Sequence, residues 1–220
     1  MEKQIRIGVG VTSFNRPECL KECLDHIYKH TFMDNVTLYV ATDTDEDRQG
    51  VAKRKNECLR ALKDCDYVFL FDEDCFPIKD GWIEYFVKKL NIHKVNHLLF
   101  LNQSHNKESV GEKLIDWYRD CGGVFMALTK ECIEKVGAFN EKFGIYGFEH
   151  AEYSQRIYRA GLNRFPYMCA PETYKYIYAY DYDKSQKHKS SITDEEKRIH
   201  VKNNWDKFFK EEIKSVYLPL

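Results

Sequence analysis

Three polar clusters hold the residue types from which a ligand site can be built. Thr12-Ser13-Phe14-Asn15-Arg16 closes a short β-branched run, Asp43 and Asp45 stand in an acidic corner, and Asp72-Glu73-Asp74 directly follows the apolar run Tyr67–Phe71. Carboxylates two apart in an extended segment point the same way, so Asp72 and Asp74 are placed to address one ligand. Oxygen-only ligation suits Mg²⁺ or Mn²⁺, which keep waters and take diphosphate oxygens as further ligands. The competing reading is a solvated acidic turn, because 35 acidic residues among 220 make an Asp-x-Asp motif common by chance. Its place at the end of an apolar strand, ahead of Cys-Phe-Pro, favours the metal.

These clusters can act together only if the chain folds them to one edge. Ile5–Val11 reads as a strand running into the Thr-Ser-Phe-Asn-Arg-Pro corner, and from Pro17 apolar residues recur at helical spacing through Tyr28. Strand Val36–Ala41, helix Val51–Leu62, strand Tyr67–Phe71, helix Trp82–Leu90 and strand His97–Leu101 continue the alternation. A fully apolar strand in a β/α series implies a parallel sheet covered on both faces, and ligands then bind beyond the carboxyl ends of the strands. All three clusters fall at such ends. The second half is less regular: a strand at Val124–Leu128, helices at Lys130–Val136 and Glu149–Ala160, a polar, lysine-rich stretch from Asp181 to Lys189, and a helix from Thr193 to Glu212 opened by a capping box of Thr193 and Glu196.

Composition removes several classes. Hydrophobic residues at 43% and charged residues at 31% exclude a disordered chain, a collagen-like chain and a coiled-coil rod. Lys+Arg 34 against Asp+Glu 35 gives a formal charge of -1, so overall basicity offers no case for nucleic acid or membrane binding. The sequence holds no apolar run long enough to span a bilayer and no signal-peptide h-region at its start, which leads us to expect a cytoplasmic protein. Eight cysteines without a C-x-x-C pair are expected to be free, buried thiols. Gly8-Val9-Gly10 starts like a dinucleotide fingerprint but lacks the third glycine. His26/His30 and His93/His97 have i,i+4 spacing without a Glu or Cys partner that would make them zinc pairs. Alternating tyrosines from Tyr174 to Tyr182 fit strand packing better than a sugar-stacking platform.

Taken together, Thr12-Ser-Phe-Asn-Arg-Pro17, Gly50-Val-Ala-Lys-Arg-Lys-Asn56 and Tyr67-Val-Phe-Leu-Phe-Asp-Glu-Asp74 resemble the nucleotide half of GT-A fold glycosyltransferases, particularly the family 2-like group. Gly122-Gly-Val-Phe-Met-Ala-Leu-Thr-Lys-Glu131, Val136-Gly-Ala-Phe139 and Gly147-Phe-Glu-His-Ala-Glu152 resemble that family's acceptor half. The resemblance runs in order over residues 5–165. It implies an α/β fold in which a Rossmann-like nucleotide-binding half (1–102) joins an acceptor half (103–180) in one domain, with a mostly parallel central sheet flanked by helices. A polar loop and C-terminal helix (181–220) would complete it.

The resemblance also implies roles. Thr12 and Asn15 would line the nucleoside pocket, Asp43 would contact the base, and Lys55 and Asn56 would lie near the nucleotide. Asp72 would face the ribose or the metal, and Asp74 would ligate a Mn²⁺ or Mg²⁺ ion bridging the phosphates, with His188 as a further candidate ligand. The family's acidic pair, one member of which removes the acceptor proton, is here Glu149-His150. Glu149 is the expected base and His150 the alternative. The implied activity is metal-dependent transfer of a sugar from a nucleoside-diphosphate sugar, preferably a UDP-sugar, to a hydroxyl of a glycan or other acceptor, with inversion. A modified nucleic acid is an unfavoured acceptor. Two rival readings are a catalytically silent module that binds sugars or nucleotides, or scaffolds a partner, supported only by the His150 replacement, and a sugar-nucleotide pyrophosphorylase. The latter would need a Gly-rich loop where this chain has Phe14-Asn-Arg-Pro17.

Overall fold

The computed structural model describes residues 4–101, 115–182, 190–210 and 215–220. Its first part alternates as the periodicity predicts: β1 (Ile7–Phe14), α1 (Pro17–His30), β2 (Val36–Asp43), α2 (Val51–Leu62), β3 (Tyr67–Asp72), a short β4 (Cys75–Pro77), α3 (Trp82–His93) and β5 (His97–Leu99). There follow β6 (Asp116–Trp117), β7 (Phe125–Thr129), α4 (Lys130–Val136), α5 (Glu149–Arg159), β8 (Met168–Cys169), β9 (Ile177–Ala179) and α6 (Asp194–Phe209).

Seven strands form one sheet in the order β2-β1-β3-β7-β5-β8-β6, and β4 pairs with β9 in a second, two-stranded sheet. β1 runs parallel to β2 and β3, and β5 runs parallel to β8. β7 is antiparallel to both β3 and β5, and β6 is antiparallel to β8. Five of the seven strands therefore point one way, and an inserted antiparallel strand separates β3 from β5. The β/α alternation alone does not announce that insertion, since β7 comes later in the chain and is placed by non-local pairing.

Side-chain alternation divides the core between the sheet faces. Phe69 and Phe71 of β3 pack with Trp82 and Phe86 of α3 and the Cys19, Cys23 and Ile27 stripe of α1. Val68 and Leu70 face Leu59 and Leu62 of α2 and Ile157 of α5. The two glycines of β1 serve packing. A Cβ on Gly10 would come within 2.8 Å of both the Cys58 Cβ and a Leu70 methyl, so its absence is what lets α2 lie close against β1. All eight cysteines are unpaired, and all but Cys121 are buried. Of the alternating tyrosines only Ile177–Ala179 forms a strand, with Tyr178 and Tyr180 both packed on Phe76.

The C-terminal helix is tied across this framework. Its expected capping box is present, the Thr193 hydroxyl accepting from the Glu196 amide while the Glu196 carboxylate accepts from the Thr193 amide. The buried Asn204 amide donates to the carbonyls of Phe143 (2.7 Å) and Tyr146 (2.9 Å), fixing α6 against the loop before α5. Arg156 of α5 is fully buried, pairs with Glu152 and donates to the carbonyls of Val136 and Val216. It thus anchors the tail, whose Leu218 lies in register with Gly137. No helix among the described residues is long and apolar enough to cross a membrane.

Neither histidine pair gathers as zinc ligands. His26 contacts the Pro77 carbonyl, His30 pairs with Asp80, and His97 lies in β5 rather than on α3 with His93. His97 is fully enclosed, its Nδ1 against the Ala127 carbonyl and its Nε2 2.9 Å from the Ser154 hydroxyl. Burial lowers its pKa to about 4. The unfolded chain therefore binds the extra proton between the ordinary value of 6.5 and about 4, so the neutral His97 contributes stability that is complete above that window and is lost as the pH falls through it. The effect is on the order of 3 kcal/mol. Denaturant titrations from pH 7.5 to 4 are expected to show this slope, and His97→Gln is expected to flatten it; an unchanged slope in the variant contradicts the assignment.

Candidate active site

The carboxyl ends of β1, β2 and β3 meet at one rim, as the parallel register requires: Thr12 is level with Ala41 and Asp72, and Phe14 with Asp43. The cleft there is lined by Thr12, Ser13, Arg16, Asp43, Asp72 and Asp74, together with Ser190, Ser191 and Ile192 leading into α6 and Lys197 in its first turn. A second cleft, of about 420 Å³, lies beside it. Its polar floor includes Gly123, Glu149 and His150, and its aromatic wall includes Phe148, Tyr182, Phe208 and Phe209. Val51, Asp72, Tyr146 and Asp181 line both clefts, so the two meet at a shared wall.

Asp72 in that wall is fixed by a buried cation. Lys55, wholly enclosed on α2, holds its Nζ 2.8 Å from Asp72 Oδ1 and donates to the Gly123 carbonyl at 3.0 Å. The Thr12 hydroxyl donates to the same Oδ1 at 2.9 Å. Burial acts to raise the Asp72 carboxyl, but the Lys55 charge, the His150 charge and both hydrogen bonds together outweigh it, and the group ends below its ordinary value. Both bonds fall on Oδ1, which leaves Oδ2 for a ligand.

Glu73 and Asp74 occupy a turn between β3 and β4 rather than an extended strand, which changes the expected geometry of Asp72 and Asp74. They do not project together from one strand; each is held by a different cation. Arg16 bridges Glu73 (2.8 Å) and Asp74 Oδ2 (2.9 Å), while Asp74 Oδ1 is buried without a hydrogen-bond partner. Burial pushes the Asp74 carboxyl up, to about 7; Arg16 opposes this, and the charges of Asp181, Asp72 and Glu73 add to it. A buried acceptor without a donor, crowded by like charges, is a place where a divalent cation fits chemically. Asp74 and Asp181, with Asp72 Oδ2, are the oxygens offered, although among the described residues no group of three or more His, Cys, Asp or Glu side chains is already arranged around one point. His188 lies outside the described residues.

The remaining expected nucleotide residues are placed unevenly. Asp43 lines the cleft, but its carboxylate accepts from the Gln49 and Gly50 amides (2.7 and 2.8 Å) and from Arg54 (3.0 Å), so it also staples the loop into α2. Asn15 is exposed, has positive φ and bonds Asp45. Asn56 is not at the cleft. It is buried with its amide clamping the Phe139 backbone in both directions, at 3.1 and 2.7 Å. Lys55 reaches the cleft through Asp72. Tyr146, Asp181 and Lys197 were not singled out by the sequence reading. Each lies in an irregular or polar stretch, and only the fold brings them to the rim.

In the second cleft, Glu149 opens α5 and is buried, with Oε1 2.9 Å from His150 Nδ1. Glu149 Oε2 and His150 Nε2 are both buried and unpartnered. Burial acts to raise the Glu149 carboxyl, but His150, a backbone hydrogen bond and the Lys55 charge together leave it below its ordinary value. The ring fits because position 123 is glycine, where a Cβ would come within 2.0 Å of His150 Nδ1. A carboxylate that fixes an imidazole with its second nitrogen free is an arrangement for accepting a proton.

With this geometry in hand, comparisons place the chain among known folds. A family model described as the N-terminal domain of galactosyltransferase matches residues 107–181. An uncharacterized glycosyltransferase of Acanthamoeba polyphaga mimivirus is 29% identical over 120 residues, covering 50% of this chain and 46% of that protein. Among solved structures, a mannosyltransferase from Pyrobaculum calidifontis in complex with GDP-Man and Mn²⁺ superposes with a TM-score of 0.57 at 16% identity, over 78% of this chain and 56% of that one. An N-acetylgalactosaminyltransferase with UDP, GalNAc and Mn²⁺ superposes with a TM-score of 0.61 at 12% identity, over 78% of this chain and 43% of that one. The chain thus spans about half the length of these relatives, and its fold is that of the GT-A glycosyltransferases.

The Lys55–Asp72 pair is the most consequential contact in the site. Lys55→Met leaves a half-buried carboxylate without its cation and is expected to cost about 1–3 kcal/mol in denaturant unfolding, between the values for exposed and fully buried pairs. A loss below about 1 kcal/mol, the size of an exposed pair, contradicts the assignment.

Proposed function

We propose that this chain is a metal-dependent glycosyltransferase that moves a sugar from a nucleoside-diphosphate sugar, with a UDP-sugar as the preferred donor, to an acceptor hydroxyl with inversion at the sugar carbon. One observation carries the reading: a carboxylate-lined cleft at the strand ends opens, through the shared wall of Asp72, Tyr146 and Asp181, onto a second cleft that holds a buried Glu149–His150 pair. The donor half would comprise residues 1–102 and the acceptor half 103–180. Eight unpaired cysteines suit the reducing cytoplasm expected from the sequence.

In this reading the nucleotide lies along Thr12, Ser13 and Asp43, and Asp72 Oδ2 accepts from the ribose or joins the metal site. Asp74 and Asp181, with His188 as a further candidate, would hold a Mn²⁺ or Mg²⁺ ion, which when bound would supply positive charge to neutralise the diphosphate. The acceptor, a glycan or another hydroxyl compound, enters by the aromatic wall. His150 Nε2 takes the proton of the attacking hydroxyl, and Glu149, bonded to Nδ1, holds the ring and stabilises the imidazolium. The geometry thus favours His150 as base where the sequence favoured Glu149, because Glu149 already engages the ring nitrogen. Displacement from the face opposite the leaving group inverts the sugar carbon.

Two substitutions test these roles. Asp74→Asn is expected to reduce transfer by about 10²-fold or more with the fold intact, since it removes a charge from the metal site. Near-full activity contradicts the metal assignment. His150→Asn is expected to lose about 10²–10⁴-fold. His150→Asp is expected to recover part of the rate with the acidic limb of the pH–rate profile moved to lower pH, because a carboxylate stays deprotonated where an imidazole does not. An unmoved limb assigns the base elsewhere.

A further inference from the structure

The donor cleft has an uneven charge inventory. Asp43, Asp72, Glu73, Asp74 and Asp181 line it against three cations, Arg16, Arg54 and Lys197. Arg16 is engaged by Glu73 and Asp74, and Arg54 by Asp43, Asp47 and Glu57. Lys197 pairs with no carboxylate among the described residues. Its half-buried side chain leaves the first turn of α6, and its Nζ stands 5.9 Å from the centre of the Tyr146 ring. Tyr146 belongs to both clefts, so the ammonium sits where the donor cleft opens onto the acceptor cleft. Ser190 and Ser191 add hydroxyls to the same wall. The α6 terminus is closed by its own capping box, so the positive charge available there is the side chain's.

We propose that Lys197 binds the β-phosphate of the nucleoside diphosphate and stabilises it as the leaving group. The inference rests on the reading of this cleft as a nucleoside-diphosphate-sugar site. A diphosphate brought among five carboxylates, in a cleft whose two arginines are already engaged, meets repulsion, and an ammonium with no carboxylate partner among the described residues, standing at the junction, offsets it where charge develops. In the transfer, the bond between the sugar carbon and the β-phosphate oxygen breaks with its electron pair going to that oxygen. The acceptor oxygen forms the new bond to carbon, and its proton passes to His150. Lys197 donates a charge-assisted hydrogen bond to the oxygen that gains the electron pair. It differs from the divalent ion in being built into α6, which Asn204 and the Arg48–Glu196 pair hold against the sheet domain.

The test is a calorimetric titration of the full chain in Mn²⁺ with UDP, GDP, UMP and GMP, comparing the native protein with Lys197→Met and Lys197→Arg. The Met variant is expected to bind the preferred diphosphate about tenfold more weakly, to bind the matching monophosphate within about twofold of the native protein, and to regain most of the diphosphate affinity as Arg. Unchanged diphosphate binding in the Met variant overturns the proposal, as does an equal loss for monophosphate and diphosphate, which marks a structural role. A native protein that binds no diphosphate overturns the donor-site reading itself, a result distinct from both.

Discussion

The site depends on one ion pair with a buried cation. Lys55 gives up all contact with solvent to hold Asp72 at the end of β3 and the Gly123 carbonyl just before β7. An ammonium in such a place is tolerated only with its partners close and well aligned, because desolvation otherwise outweighs the attraction. The contact therefore constrains three pieces of chain at once: the strand end that carries the acidic triplet, the helix behind it and the glycine turn beside His150. Asp72 stays ionised in the wall between the clefts, and Gly123 stays where its lack of a side chain admits the His150 ring. The two clefts are thereby brought to a common boundary by a single interaction.

The second organising element is α6. Its first turn walls the carboxylate cleft, and its last turns carry Phe208 and Phe209 into the second cleft. Apolar patterning along the helix does not account for its position; polar anchors and an aromatic contact at its end do. Asn204 reaches loop carbonyls, Glu196 closes the cap and meets Arg48, and Phe148 stacks against Phe208. A helix held in this way spans both clefts without being buried, so its exposed and half-buried side chains are available to ligands. The acidic cleft it covers is unfavourable to an anionic donor on its own charges, and that is the physical reason the cleft calls for cations that its arginines, already engaged, do not supply.

Much of this was legible in the sequence, and the divide follows the range of the interactions. The alternation through β5 was readable because β-branched and apolar runs, Pro17 and the corner residues act locally. The same logic placed Thr12, Asp43 and Asp72 at one rim. The antiparallel β7 was not readable, because its direction follows from pairing with strands distant in the chain. Asn56 was misplaced because its motif lies on the helix that borders the site, while its amide is turned toward the Phe139 backbone. Asp72 and Asp74 were read as neighbours on an extended segment, yet a turn puts each against its own cation. Asp181, Tyr146 and Lys197 carry no local signal at all; an aspartate after a tyrosine run and a lysine in a charged helix look like solvated surface until the fold brings them to the cleft.

The central claim is that the two clefts together perform sugar transfer from an activated donor with the help of a divalent ion. The most direct measurement is release of nucleoside diphosphate from a panel of UDP-, GDP- and TDP-sugars without acceptor, in Mn²⁺, in Mg²⁺ and in EDTA. The account predicts slow hydrolysis of one donor, supported by a divalent metal and abolished by EDTA. No turnover of any donor, together with nucleotide binding that is absent or indifferent to metal, contradicts it and leaves a GT-A fold used for something other than transfer.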